Sequence, residues 1–164
     1  MIYVTVGGYE GGFNRLVQSI DAIAPTFSEE IIIQKGGSSY IPRCAQYFDF
    51  ISFPEAREYI RAAHLVVAHA GCGTILLALQ YGVPLIIVPR RKHLKEHNTD
   101  HQMEICKALS MEPRPLLRVV EDTGSLKEAM LALLATKSST AVASKPGRNA
   151  VMLAIDSFLK KEVL

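Results

Sequence analysis

Leu65-Val66-Val67-Ala68-His69-Ala70-Gly71-Cys72-Gly73-Thr74, continuing to Tyr81-Gly82 and then Pro84-Leu85-Ile86-Ile87-Val88, is the stretch on which the fold turns. Leu65–Ala68 is apolar at successive positions and too short for a helix, which is the pattern of a strand covered on both faces. The glycines at 71 and 73 permit a tight turn, and Thr74 to Tyr81 reads as a helix closed by Gly82 as a left-handed cap. Pro84 restarts the chain, and Leu85–Val88 is a second buried strand. A strand, a glycine turn, a helix and another all-apolar strand make one parallel βαβ unit.

Working outward, the same unit recurs. Ile2 to Val6 is a short strand that stops at Gly7-Gly8, and Phe13, Leu16, Val17, Ile20 and Ile23 then mark one face of a helix. Ile31 to Ile33 and Phe48 to Phe53 read as strands, with a helix from Glu55 to Ala63 begun after Pro54. Beyond Pro89 come a polar loop to Glu96, a helix from about Asn98 to Leu109, a strand over 116–120 and a helix from Ser125 to about Ala135. The expected class is α/β, a doubly wound Rossmann-like parallel sheet, occupying residues 1–136. Residues 137–149, rich in Ser, Thr, Ala, Gly and Pro, read as a loop or linker. Residues 150–164 read as a last helix, with Val151, Ile155 and Phe158 available to pack on the body or on a partner.

Composition narrows the class of function. With 49% apolar and 21% charged residues in a chain of 164, disorder and fibrous repeats are excluded, and one domain fits. Eighteen Lys and Arg against 16 Asp and Glu leave a formal charge of +2, too balanced to argue for nucleic acid. Cys44, Cys72 and Cys106 form no CxxC pair, and their odd number speaks against a disulfide framework. Met1-Ile-Tyr-Val-Thr-Val lacks a basic leader, and no apolar run approaches the length of a spanning helix, so a cytoplasmic location is expected.

In open α/β sheets ligands bind beyond the carboxyl ends of the strands, which directs attention to residues 7–12, 36–39, 69–74 and 89–101. The helix that follows Gly71-Cys72-Gly73-Thr74 presents free N–H groups and a positive dipole end, suited to a diphosphate; the plainer alternative is that the glycines only let the turn pack. His69 can donate to a phosphate or accept from a hydroxyl, and a structural imidazole is the alternative. Arg90, Arg91, Lys92 and Lys95 concentrate positive charge that could neutralise diphosphate or approach an anionic acceptor, or simply be solvated. His93, His97 and His101 have helical spacing that invites a metal, but the HExxH pattern is missing and none is expected. Cys72 is either a reactive thiol at a helix start or a small filler of the turn.

Three blocks, Val66 to Ile75, Gly82-Val83-Pro84 through Arg90, and Glu96-His97-Asn98-Thr99-Asp100-His101-Gln102, together resemble the C-terminal domain of family 28 glycosyltransferases. Val4-Thr5-Val6-Gly7-Gly8 and Ile33-Gln34-Lys35-Gly36 extend the likeness over roughly residues 1–109. Within that family the chain is most similar to small split enzymes, the catalytic subunit of the dolichol-pathway N-acetylglucosaminyltransferase and bacterial exopolysaccharide glycosyltransferase subunits. The resemblance implies the donor-binding half of a GT-B fold, holding a UDP-sugar with no cofactor or metal. It places Gly7, Gly8, Gly71, Cys72, Gly73 and Thr74 at the donor diphosphate, and Glu96, Asp100, His101 and Gln102 at the donor sugar or ribose. It makes His69 the catalytic candidate and puts Arg90 and Lys95 in a basic loop beside the site. It further implies a lipid-linked saccharide acceptor and a membrane-anchored partner subunit that binds it, with this chain peripheral at the inner face of the membrane. Full-length members carry an acidic residue one turn into the helix after the glycine loop, where this chain has Leu77; the ribose contact then shifts to Glu96 or Asp100. Two rivals are a non-catalytic subunit that enhances a partner transferase, slightly favoured by Leu77, and an epimerase or hydrolase of related fold, disfavoured by the short chain.

Overall fold

A computed structural model describes residues 1–111 and 114–139. Six parallel strands form one sheet: β1 (Ile2–Thr5), β2 (Ile31–Gln34), β3 (Gln46–Phe48), β4 (Leu65–His69), β5 (Leu85–Val88) and β6 (Leu117–Val119), in the order β3-β2-β1-β4-β5-β6. The helices are α1 (Asn14–Ile23), α2 (Phe53–Ala62), α3 (Cys72–Tyr81), α4 (His101–Ser110) and α5 (Leu126–Ser139). The strand order reverses between β1 and β4, so the crevice of this doubly wound sheet opens where those two strands end.

Period-two alternation splits each strand between two cores. Ile2, Val4, Ile31, Ile33, Leu65, Val67, Ile86 and Val88 pack with α1 and α5, whose Leu16, Ile20, Met130 and Leu133 are buried. Tyr3, Val66, Ala68, Leu85 and Ile87 face the other way, against Ile60 of α2, Ile75 and Ala78 of α3 and Cys106 of α4. Burying each large apolar side chain contributes about 1.5–3 kcal/mol, enough to hold a three-layer sandwich whose strands are only three to five residues long. At the carboxyl end of β1 the polar pattern takes over. Thr5 Oγ1 donates to Gln34 Oε1 at 2.7 Å and accepts from Gly7 N at 3.0 Å, tying the start of the glycine loop to β2.

Several boundaries differ from the sequence reading. The strand expected over 48–53 lies at Gln46–Phe48, because Ser52 and Glu55 form a reciprocal capping box that commits residues 53 onward to α2. Phe50 and Phe53 are consequently 52% and 67% exposed instead of sitting in a sheet. Helix α4 begins at His101, three residues later than expected, since residues 96–100 run as bends without helical hydrogen bonding. Gly82 caps α3 at φ 64°, as the pattern required. Helix α5 continues to Ser139, into the stretch read as a linker from 137; the remainder of that stretch and the expected helix over 150–164 lie outside the described residues. Among the described residues no helix is long and apolar enough to cross a membrane.

Candidate donor-binding site

The four loops singled out in the sequence meet at the carboxyl edge of the sheet. Gly7 takes φ 77°, a left-handed conformation that side chains resist, and its N–H is held by Thr5. The ring of His69, at the end of β4, packs so closely against Gly7 and Gly71 that a Cβ at either glycine would collide with it. Gly36, at φ 53°, lies against Val6 and Gly7, with the exposed ring of Phe50 beside it.

His69 is shut in. Its Nδ1 is buried without a hydrogen-bond partner among the described residues. Burial, and after it the positive charge of Arg90, push the imidazole pKa down to about 4, with His97 adding slightly and the backbone of Thr5 opposing. The ring is therefore neutral at physiological pH, an unprotonated group with one unfilled polar position next to the turn into α3.

That turn leads into a helix start without a side-chain cap. Gly71 is the N-cap of α3 and supplies no side-chain acceptor, so the first amides of the helix have no internal partner. Around Gly73 there is open space within 4 Å of where a Cβ would sit, and the same is true of Gly8. Cys72 is exposed and Thr74 is partly so. A positive helix end with no capping group, faced by glycine backbone, is suited to a phosphate.

The polar residues after β5 are arranged differently from the reading of a solvent-facing basic loop. Arg90 is 0% exposed and points inward: Nη1 donates to the carbonyls of Gly11, Gly12 and Glu96 at 3.0, 2.8 and 3.1 Å, and Nη2 to that of Val6 at 3.0 Å. Its guanidinium stacks near Phe13 and Tyr9, 4.8 and 5.3 Å from the ring centres. Burial lowers its pKa to about 10, against the raising influence of Glu96 and Tyr9, which leaves it fully cationic at neutral pH. Glu96 is buried as well. It takes both Nε and Nη2 of Arg15, at 2.8 and 2.9 Å, and the backbone N–H of Arg91 at 2.9 Å. Gln102, in the first turn of α4, is buried and its Oε1 accepts from Arg90 N at 3.0 Å. Asp100 is exposed, and its Oδ1 accepts from Lys92 N at 3.1 Å. His101 is exposed, 3.2 Å from Glu104. The exposed cations of this loop are Lys92 and Lys95, the latter at φ 58°.

So Gly7, His69 and Gly71 are brought into contact, while Arg90, Glu96 and Gln102 form an interior polar network behind the loops. A cleft of about 500 Å³, bordered by Gly12, Asn14, Gly37, Ser39, Lys95 and Glu96, opens between the loops after β1, β2 and β5. Asn14 and Ser39, whose side chains bond to each other at 2.8 Å, were given no role of their own in the sequence reading, although Ser39 lies in the 36–39 loop it singled out. Among the described residues no three His, Cys, Asp or Glu side chains gather as metal ligands. Leu77 packs its side chain against the apolar cluster of α3 and β5, so that position offers no polar group.

Comparison with known proteins agrees with this architecture. The model of the glycosyltransferase family 28 C-terminal domain matches residues 1–156. The human UDP-N-acetylglucosamine transferase subunit ALG13 is 30% identical over 122 residues, which is 68% of this chain but only 10% of that protein. The solution structure of ALG13 superimposes with a TM-score of 0.54 at 16% identity, covering 89% of each chain. The calicheamicin glycosyltransferase CalG4 gives a TM-score of 0.56 at 18% identity over 99% of this chain and 44% of its own, and MurG of Acinetobacter baumannii gives 0.51 at 17% over 96% and 49%. These three structural likenesses concern the fold.

Proposed function

Since the chain belongs to the glycosyltransferase family 28 C-terminal domain family, we propose that it holds a UDP-sugar and transfers the sugar to a polyprenyl-linked acceptor together with a membrane-associated subunit. The observation that carries this reading is the uncapped start of α3, open at Gly73, beside the unpartnered buried Nδ1 of His69. Backbone N–H groups of residues 72–74 bind the diphosphate and stabilise the charge that develops on it as it leaves. Gly8 supplies the open approach on the β1 side, and Asp100 and His101, both exposed at the start of α4, are available to sugar or ribose hydroxyls. Glu96 and Gln102 act from behind, through Arg15 and Arg90. Lys95 borders the cleft as an exposed cation suited to an anionic acceptor.

In the transfer step the acceptor hydroxyl oxygen attacks the anomeric carbon from the face opposite the diphosphate. The bond from that carbon to the diphosphate oxygen breaks, and its electron pair leaves with UDP. The acceptor proton passes to a base supplied by the partner subunit or by the glycine-rich loops, with neutral His69 the candidate in this chain, and the product is inverted. The human relative, of which this chain spans about a tenth, is a transferase subunit, and that likeness supports a second component here. Titration of the purified chain with UDP and with ADP tests the donor site. UDP should bind measurably tighter; equal binding, or none of either, removes the assignment.

A second reading has one observation in its favour, the apolar packing of Leu77 where the family resemblance implies an acidic residue. On that reading the chain only enhances a partner transferase. Co-expression of Gly73→Trp with the partner separates the two, because a scaffold keeps its effect after the glycine bend is blocked.

A further inference from the structure

Among the groups the donor site does not use directly, Arg90 is the most heavily engaged. It is a fully buried cation that donates to four main-chain carbonyls and, among the described residues, forms no ion pair with a carboxylate, since the Glu96 carboxylate is taken by Arg15 and the Arg91 amide. Such a charge is costly to bury, and an apolar side chain of the same volume would serve a core as well or better. What an apolar residue cannot do is satisfy the carbonyls of Val6, Gly11, Gly12 and Glu96. Between Val6 and Phe13 four of six residues are glycine, so that loop has few side chains with which to hold its own shape and much backbone entropy to lose. Arg90 supplies the missing bonds from outside, and Tyr9 and Phe13 of the same segment close over the guanidinium.

We infer that Arg90 is a positioning residue: its guanidinium fixes residues 7–12 and 91–96 relative to one another and thereby sets the width of the cleft that faces the donor. This rests on the donor-site reading given above. Three features follow from one group. The Gly12 and Glu96 carbonyls it binds belong to two residues that line the cleft, one from the loop after β1 and one from the loop after β5. Its own amide is anchored by Gln102, which ties the first turn of α4 to the same unit. Its charge is the second cause, after burial, that holds His69 neutral, with His97 and the Thr5 backbone as the other groups acting on that ring.

The test uses the full chain, with Arg90→Met and Arg90→Lys. Lysine keeps the charge but cannot span the four carbonyls, and it is the variant to read if the methionine form does not fold. In both, amides of residues 8–12 should exchange at least about tenfold faster, while those of β4 and β5 keep their protection. UDP affinity should fall by about tenfold or more, as small misplacements of binding groups commonly cause. The His69 ring should titrate higher in the methionine variant and stay low in the lysine variant, a charge effect that loss of packing alone would not produce. Exchange that is unchanged over 8–12, or that rises equally everywhere, overturns the inference, as does UDP binding as tight as in the parent chain. Absence of UDP binding by the parent chain would instead remove the donor-site reading, and the exchange measurement would still decide the role of Arg90.

Discussion

The imidazole of His69 occupies the space that a Cβ would need at both Gly7 and Gly71, so a single ring joins the ends of β1 and β4 at the point where the strand order reverses. Gly71→Ala should therefore cost about 2–3 kcal/mol, because either the ring or the turn must move. Gly73→Ala meets nothing within 4 Å and removes a helical glycine, so it should be neutral or stabilising by up to about 1 kcal/mol. Urea unfolding of the two variants checks the contrast.

Burial of His69 makes stability depend on pH in a defined direction. Its pKa falls from 6.5 to about 4 on folding, so between those values the unfolded chain binds more protons and folding weakens as pH drops. The loss begins as pH falls through 6.5, is complete below about 4, and amounts to about 3 kcal/mol at most. In His69→Gln the unfolding free energy should be flatter than in the parent across that window. A histidine ring resonance titrating near its ordinary value at this position would contradict the geometry.

Asp21 staples the segment after β2 to α1. Its carboxylate accepts from the amides of Arg43, Cys44 and Ala45 at 2.8–2.9 Å and from the Tyr40 hydroxyl at 2.8 Å. Burial acts to raise its pKa, but those four donors prevail and hold it below the usual carboxylate range. The stability it contributes is present above the unfolded pKa and is lost as pH falls through the lower, folded value. Asp21→Ala should cost about 2–4 kcal/mol by orphaning those donors, with the largest loss of protection against hydrogen exchange at residues 43–45.

Arg15 and Glu96, 81 residues apart, meet in a two-pronged ion pair at the cleft border. The carboxylate is largely buried and the guanidinium partly so, hence the pair is not an ordinary surface bridge. A double-mutant cycle with Arg15→Met and Glu96→Gln should return a coupling of about 1–2 kcal/mol. A coupling near zero would mean that α1 and the loop after β5 are held together by other contacts.

Much of this architecture could be read before any coordinates. All-apolar runs such as Leu85–Val88 have one stable use, a strand covered on both sides, and the glycines at 7, 71 and 82 stand where turns and caps need them. The capping box Ser52-Phe53-Pro54-Glu55 was also legible, yet the apolar Phe48, Phe50 and Phe53 around it read more strongly as a strand. Local apolar spacing outweighed a local polar motif. The tertiary packing reversed that order, because β2 has room for only a short neighbour before the chain must turn into α2.

Arg90 marks the limit of such reading. Positioned in Pro89-Arg90-Arg91-Lys92, it is chemically indistinguishable along the chain from the half-exposed Arg91 and the exposed Lys92, and its partners lie as many as 84 residues away. Chain-local chemistry, apolar period and backbone conformational preference were enough to specify layers, strand direction and the edge at which the glycine loops gather. Which charged side chains turn inward, and whether His69 carries a proton, depended on carbonyls and cations gathered from distant loops. Electrostatic and hydrogen-bond energies follow distance in space, and that distance exists only once the sheet has assembled.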